Sequence, residues 1–225
     1  MAFFVAALTH RGIPAEISLA ALLVSLISYY AAYLLAATLS LALLHFRHVA
    51  GVWIVTITIL FCIIAVAIPT GTLWLHSRSQ RPLPAWTNRI PGINRLLDML
   101  GDAPGYLLRD GALLSKTTLF QASIFLLDAA TLWAMLRAVG QNVSFLAAFP
   151  SFIVASMIAT FGLVPLGIGT FEAACVAMLG TIGVPLDAAL AATLLLRGFT
   201  LWLPMLPGLL LARRELKNSG GNKTV

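Results

Sequence analysis

The sequence predicts an all-α fold, a polytopic bundle with about six segments in a membrane. Hydrophobic residues make up 60% of the chain and charged residues only 10%, with a mean hydropathy of +0.96. A soluble domain is about 25% charged. The apolar runs last about 20 residues and lack the two-residue alternation of barrel strands, so the membrane segments should be helices.

Six apolar segments follow one another along the chain, and the whole of 1–225 is predicted to be one integral membrane domain. We predict helices over 17–44, 49–75, 117–139, 145–164, 170–184 and 188–212. Residues 76–116 form the long polar stretch, with four prolines and six Lys or Arg residues. They are predicted to lie on the lipid headgroups as an interfacial loop, and 213–225 to form a basic tail.

The fifth segment is too short to cross a bilayer. A helix over 170–184 would be about 22 Å long, whereas the hydrocarbon core is about 30 Å thick. Two explanations stay open: either the loop at 165–169 dips into the membrane and the helix starts below the surface, or segments four and five form a re-entrant hairpin. Both predict a helix that is broken by Pro and Gly, or re-entrant, near 165–184.

The basic residues predict an orientation. The net charge is +6, and Lys and Arg concentrate in the 76–116 loop and the tail. Basic loops stay on the cytoplasmic side, so both termini and this loop are predicted to be cytoplasmic. Because the basic residues lie beside apolar spans, membrane topology and contact with anionic lipid explain them better than nucleic-acid binding does. We expect no nucleic-acid partner.

A polar site is predicted at membrane depth after the fourth segment. The run V-P-L-G-I-G-T-F contains Pro165, Gly167 and Gly169 and leads directly into Glu172. A carboxylate in the first turn of a helix is favoured by the helix dipole and by the free amide groups there. A broken helix with a charge in an apolar region is typical of a site for a charged solute or headgroup.

Arg197 lies deep in the last apolar segment. Its position predicts a polar partner, because a guanidinium in lipid costs at least about 2.5–3.5 kcal/mol. One face of this helix is predicted to carry four residues spaced four, three and four positions apart: Thr193, Arg197, Thr200 and Pro204.

Two carboxylates could pair with this arginine: Glu172 and Asp128 in the third segment. The pair could serve only to hold helices together, or it could belong to a substrate site. With two carboxylates and one arginine, one charged group has no partner within the protein. That group could bind a ligand, which favours the substrate site. Cys62 and Cys175 lack ligand spacing, and the sequence predicts neither a metal nor a cofactor.

The run V-P-L-G-I-G-T-F-E-A-A, followed by G-V-P-L-D-A-A-L-A-A-T-L-L-L-R-G-F-T-L-W-L-P-M-L-P-G, resembles the lysylphosphatidylglycerol synthase transmembrane family, a flippase-like family of the bacterial inner membrane. By this resemblance the motif positions are Pro165, Gly167, Gly169, Glu172 and Arg197. The implied substrate is an anionic or aminoacylated phospholipid or a polyprenyl-linked lipid.

The chain departs from the family pattern in two ways. Leu166 stands where glycine or proline is usual. Family members commonly have further N-terminal helices and a cytoplasmic motif, and this sequence shows neither. We therefore expect the chain to correspond to the C-terminal portion of the fold. An acyltransferase-like domain is likewise not found, and aminoacyl transfer is not expected of this chain.

The predicted function is that of a lipid flippase-like transporter in the bacterial cytoplasmic membrane. The alternative is a membrane protein that binds lipid or a partner chain without transport and uses the charges to hold its helices together. We expect no enzyme activity, because no nucleophile and base are spaced for catalysis. The expected partners are the membrane and a phospholipid or lipid-linked substrate, and a homo-oligomer is compatible with the sequence.

Overall fold

The computed structural model describes residues 15–46, 51–79, 110–161, 167–209 and 211. Within these ranges the chain forms six α-helices and a π-helical turn, and no β-strand. The helices are α1 (Ala15–Phe46), α2 (Val52–Ser79), α3 (Gly111–Ala138), α4 (Phe145–Phe161), α5 (Thr170–Thr181) and α6 (Leu186–Arg197), and the π-helical turn is Gly198–Trp202. Spans of sufficient length and apolarity to cross a membrane are Ala20–Phe46, Val52–Gly71, Gly111–Ala138 and Leu186–Leu209. The predicted all-α membrane class is confirmed.

Helix α3 begins at Gly111, whereas the prediction placed its start at residue 117. The carboxylate of Asp110 caps the helix, since its Oδ1 accepts hydrogen bonds from the backbone N–H groups of Ala112 (3.0 Å) and Leu113 (3.1 Å). Such a cap satisfies amide groups that have no partner inside the helix. Helix α2 also continues to Ser79, so the predicted 76–116 loop was too long at both ends. Its central part, residues 80–109, and the predicted tail lie outside the described residues.

Helices α4 and α5 are both short. They contain 17 and 12 residues, which correspond to about 26 and 18 Å of helix. The predicted shortness of the fifth segment is confirmed, and α5 ends three residues before the predicted position because a turn follows Thr181. Whether this pair is re-entrant or α5 starts below the surface stays a prediction.

The chain divides into two compact units. The first contains Met1–Leu39 and Val55–Phe125, and the second contains Ser40–Ile54 and Leu126–Val225. The long helices α1 and α3 contribute residues to both units. The assignment of the whole chain to one membrane domain stays a prediction.

In the first unit, α1 and α3 run in the same direction. Leu113 at the start of α3 packs against the α1 cluster that includes Ala20. About two turns beyond Ala20 on α1 and one turn beyond Leu113 on α3, the Ser28 and Thr117 hydroxyls form a hydrogen bond of 2.6 Å. Further along both helices, the centroid of the Tyr33 ring lies 4.7 Å from that of the Phe125 ring. The starts of α1 and α3 therefore lie at the same end of this unit.

In the second unit, α4 is buried on all sides over much of its length. Every residue from 147 to 155 is buried, which requires the all-round apolar sequence that this helix has. Helix α4 packs against α5, and α5 packs against α6. These contacts place the start of α5 and the end of α6 within reach of one another.

Candidate functional site

An ion pair joins α5 to α6. Arg197, the last residue of α6, places its Nε 2.8 Å from Oε1 of Glu172. The exposed fractions of the two side chains are 13% and 19%, so both are mostly shielded but open on one side. Each charge offsets the cost of burying the other, and the predicted need of Arg197 for a partner is confirmed.

Glu172 also closes the first turn of its own helix. Its second oxygen, Oε2, accepts a hydrogen bond of 2.6 Å from the backbone N–H of Gly169, the residue that precedes α5. This is the return bond of a capping box, in which the third residue of a helix satisfies the N–H at its N-cap. Both carboxylate oxygens of Glu172 are thus engaged by the protein.

The loop before α5 requires glycine at two positions. Gly167 has φ +62° and Gly169 has φ +87°, a left-handed conformation that other residues adopt at a cost. Gly167 is also packed closely, since a Cβ there would lie 2.9 Å from the Cβ of Ala159 in α4. A Cβ at Gly169 would meet nothing within 4 Å. The two glycines therefore have different roles, and only Gly167 is needed for close packing.

Arg197 holds this loop directly. Its Nη2 donates a hydrogen bond of 3.1 Å to the carbonyl of Gly167, which also accepts one of 3.1 Å from the Thr170 hydroxyl. The loop carbonyl and the carboxylate of Glu172 thus orient the guanidinium from two directions. One arginine consequently fixes both the loop and the first turn of α5.

The aromatic ring of Phe171 packs against the guanidinium of Arg197. The Cζ of Arg197 lies 4.3 Å from the centroid of the Phe171 ring, a cation–π distance. The ring of Phe152 in α4 packs against Phe171 edge-on, with centroids 5.8 Å apart. Sequence reasoning missed Phe171, because one more phenylalanine in an apolar segment gives no signal of contact with a charge.

The predicted polar face of the last helix includes Thr193 and Thr200. Thr193, one turn before Arg197, is fully buried, and its hydroxyl donates to the carbonyl of Ala189 at 2.7 Å. Thr200 lies in the π-helical turn Gly198–Trp202, where the spacing differs from that of an α-helix. The Thr200 hydroxyl donates a hydrogen bond of 2.8 Å to the carbonyl of Leu196, and the alignment of Thr200 with Arg197 on one face stays a prediction.

The structure does not bring Asp128 into the ion pair. Asp128 lies in α3 with a partly buried side chain, and among the described residues no ion pair involves it. The choice between the two carboxylates is therefore settled in favour of Glu172. A role for Asp128 in substrate binding stays a prediction, and Pro165 lies outside the described residues.

These features define a class: a helical membrane protein with a shielded Arg–Glu pair at a glycine-containing break between apolar helices. The chain belongs to the lysylphosphatidylglycerol synthase transmembrane family. The family model, described as the lysylphosphatidylglycerol synthase TM region, matches residues 2–208. No curated protein and no solved structure matches the chain.

Proposed function

We propose that this protein moves a lipid headgroup across the bacterial inner membrane and binds it at Arg197 and Glu172. The observation that carries the proposal is an ion pair, with side chains 13% and 19% exposed, between the short apolar helix α5 and the apolar span Leu186–Leu209. Charges at such a place are costly and are usually kept for function. Membership of a lipid-related membrane family supports the same context.

The charges of the pair favour a headgroup that carries both a phosphate and an amine. The phosphate would replace the carboxylate of Glu172 at Arg197, whose planar guanidinium fits phosphate oxygens. The ammonium group would replace Arg197 at Glu172. Every charge then exchanges one partner for another, and none is left unpaired in an apolar medium. An aminoacylated phospholipid meets this requirement better than a lipid with a phosphate alone.

The surroundings of Arg197 would let it change partners. The π-helical turn begins at Gly198, directly after the arginine, and the N–H of Leu203 donates to the carbonyl of Gly198 rather than to the usual α-helical acceptor. Such turns within helices often occur at functional sites. The ion pair therefore adjoins two segments of irregular backbone: this π-helical turn and the loop with Gly167 and Gly169. We take transport, not catalysis, as the activity of this site.

The alternative function is lipid or partner binding without transport. One observation favours it: both oxygens of Glu172 already have partners within the protein, Arg197 and the N–H of Gly169. In that case the pair would only hold α5 and α6 together.

Transport is tested with the full chain in proteoliposomes that contain labelled aminoacylated or anionic phospholipid. We expect the wild type to move the aminoacylated lipid faster than protein-free liposomes do. Glu172→Gln should slow this transport by at least about tenfold, the factor expected for a lost charge-assisted hydrogen bond, and should affect the anionic lipid less. Asp187→Asn is the matched control, because Asp187 is an exposed carboxylate in the first turn of α6. Equal transport by the wild type and protein-free liposomes would refute the proposal.

We also propose the cytoplasmic orientation of both termini, which is supported by the position of the basic residues and by the parallel course of α1 and α3. In a background without Cys62 and Cys175, cysteines at Ser79 and Ser219 should resist an impermeant maleimide added to intact cells. His45→Cys, at the exposed end of α1, should react as the positive control. Rapid labelling at Ser79 or Ser219 from outside would overturn the orientation.

A further inference from the structure

A groove runs between α1 and α3 in the first unit. Its volume is about 510 Å³, within the range of about 300–1,000 Å³ typical of ligand sites. Ile17, Val24, Leu113 and Phe120 provide apolar walls. On each helix the lining residues recur three and four positions apart, so one continuous face of each helix forms a wall.

The polar groups of this groove include one cation, Lys116. Its side chain is exposed, and no ion pair with a carboxylate is found for it among the described residues. It lies five residues into α3, or about 8 Å along the helix, where a lysine can extend its ammonium group to the headgroup region. Ser25, Thr117 and Gln121 add uncharged hydrogen-bonding groups to the same lining.

We infer that this groove holds one anionic phospholipid, with an acyl chain along the apolar walls and its phosphate at Lys116. A groove that is mostly apolar and carries one cation near a helix end matches a lipid in both charge and polarity. The groove is formed by residues of the first unit alone, whereas the Arg197–Glu172 pair belongs to the second. The inference therefore goes beyond the proposed transport and does not depend on it.

The charge is tested by native mass spectrometry of the full chain in detergent, with phosphatidylglycerol and phosphatidylcholine of identical acyl chains. The wild type should retain phosphatidylglycerol about fivefold more than phosphatidylcholine, the factor expected for one basic residue at an anionic headgroup. Lys116→Gln should bring this ratio close to one, and Lys116→Arg should keep it. Arg137→Gln removes an exposed cation from the other end of α3 and should leave the ratio unchanged.

The walls are tested with Ala21→Leu, which adds bulk inside the groove without a change of charge. It should lower the retention of both lipids severalfold, whereas Ala42→Leu, at an exposed position of α1 outside the groove lining, should not. Circular dichroism checks that each variant is folded. Because Lys116 is exposed, its variants should fold even if Ala21→Leu does not. Equal retention of the two lipids by the wild type, or equal effects of Lys116→Gln and Arg137→Gln, would overturn the inference.

Discussion

Replacement of Arg197 by leucine should lower the free energy of unfolding by about 3–5 kcal/mol, the cost of leaving one member of a buried ion pair alone. The structure gives two reasons for a large effect. The carboxylate of Glu172 loses a partner at 2.8 Å, and the carbonyl of Gly167 loses a hydrogen bond of 3.1 Å. SDS titration of the protein in mixed micelles, followed by circular dichroism, measures the change.

Simultaneous replacement of Arg197 and Glu172 by leucine should restore much of this stability. Apolar residues in place of a buried ion pair are often neutral or better. The recovery should be incomplete, because the N–H of Gly169 also loses its bond to Glu172. The single variant Glu172→Leu completes the cycle, and the coupling between the two sites measures the pair itself.

Headgroup transport by the double variant distinguishes a substrate site from a structural pair. If the pair binds a headgroup, the double variant should be stable but inactive, since neither a phosphate nor an amine finds a partner. If the pair only joins α5 to α6, transport should return together with stability. Recovery of both properties would contradict the proposed transport site.

Gly167→Ala should be more harmful than Gly169→Ala, although both glycines have positive φ angles. The left-handed backbone costs an alanine about 1–2 kcal/mol at either position. At Gly167 the new Cβ would also lie 2.9 Å from that of Ala159, and such overpacking adds about 1–3 kcal/mol. Stability of the two variants in the same micelles tests this difference.

A second substitution separates the two costs. Ala159→Gly removes the Cβ that a residue at 167 would meet, so it should recover part of the loss in Gly167→Ala but none in Gly169→Ala. The Ala159→Gly single variant is the control, because glycine within a helix itself costs about 0.5–1 kcal/mol. Equal losses in the two alanine variants would contradict the close contact of the loop with α4.

Residue spacing and polarity alone predicted several features of the candidate site. Arg197 had to find a polar partner because a charge is costly in lipid, and Glu172 belonged in the first turn of its helix because the free amides there favour an anion. Gly167 and Gly169 were expected in the break before that helix, and both have positive φ angles. These properties depend on single residues and their near neighbours in the chain.

Other features depended on how the helices pack. Spacing within a helix says which residues share a face, but it carries no distance to another helix. The choice of Glu172 over Asp128 as the partner of Arg197 was therefore open until α5 and α6 were seen side by side. For the same reason, the sequence did not predict the contact of Phe171 with the guanidinium of Arg197 or that of Ala159 with Gly167. Both contacts depend on how neighbouring helices pack. The sequence determined which side chains needed partners, and the packing of α4, α5 and α6 decided which partners they found.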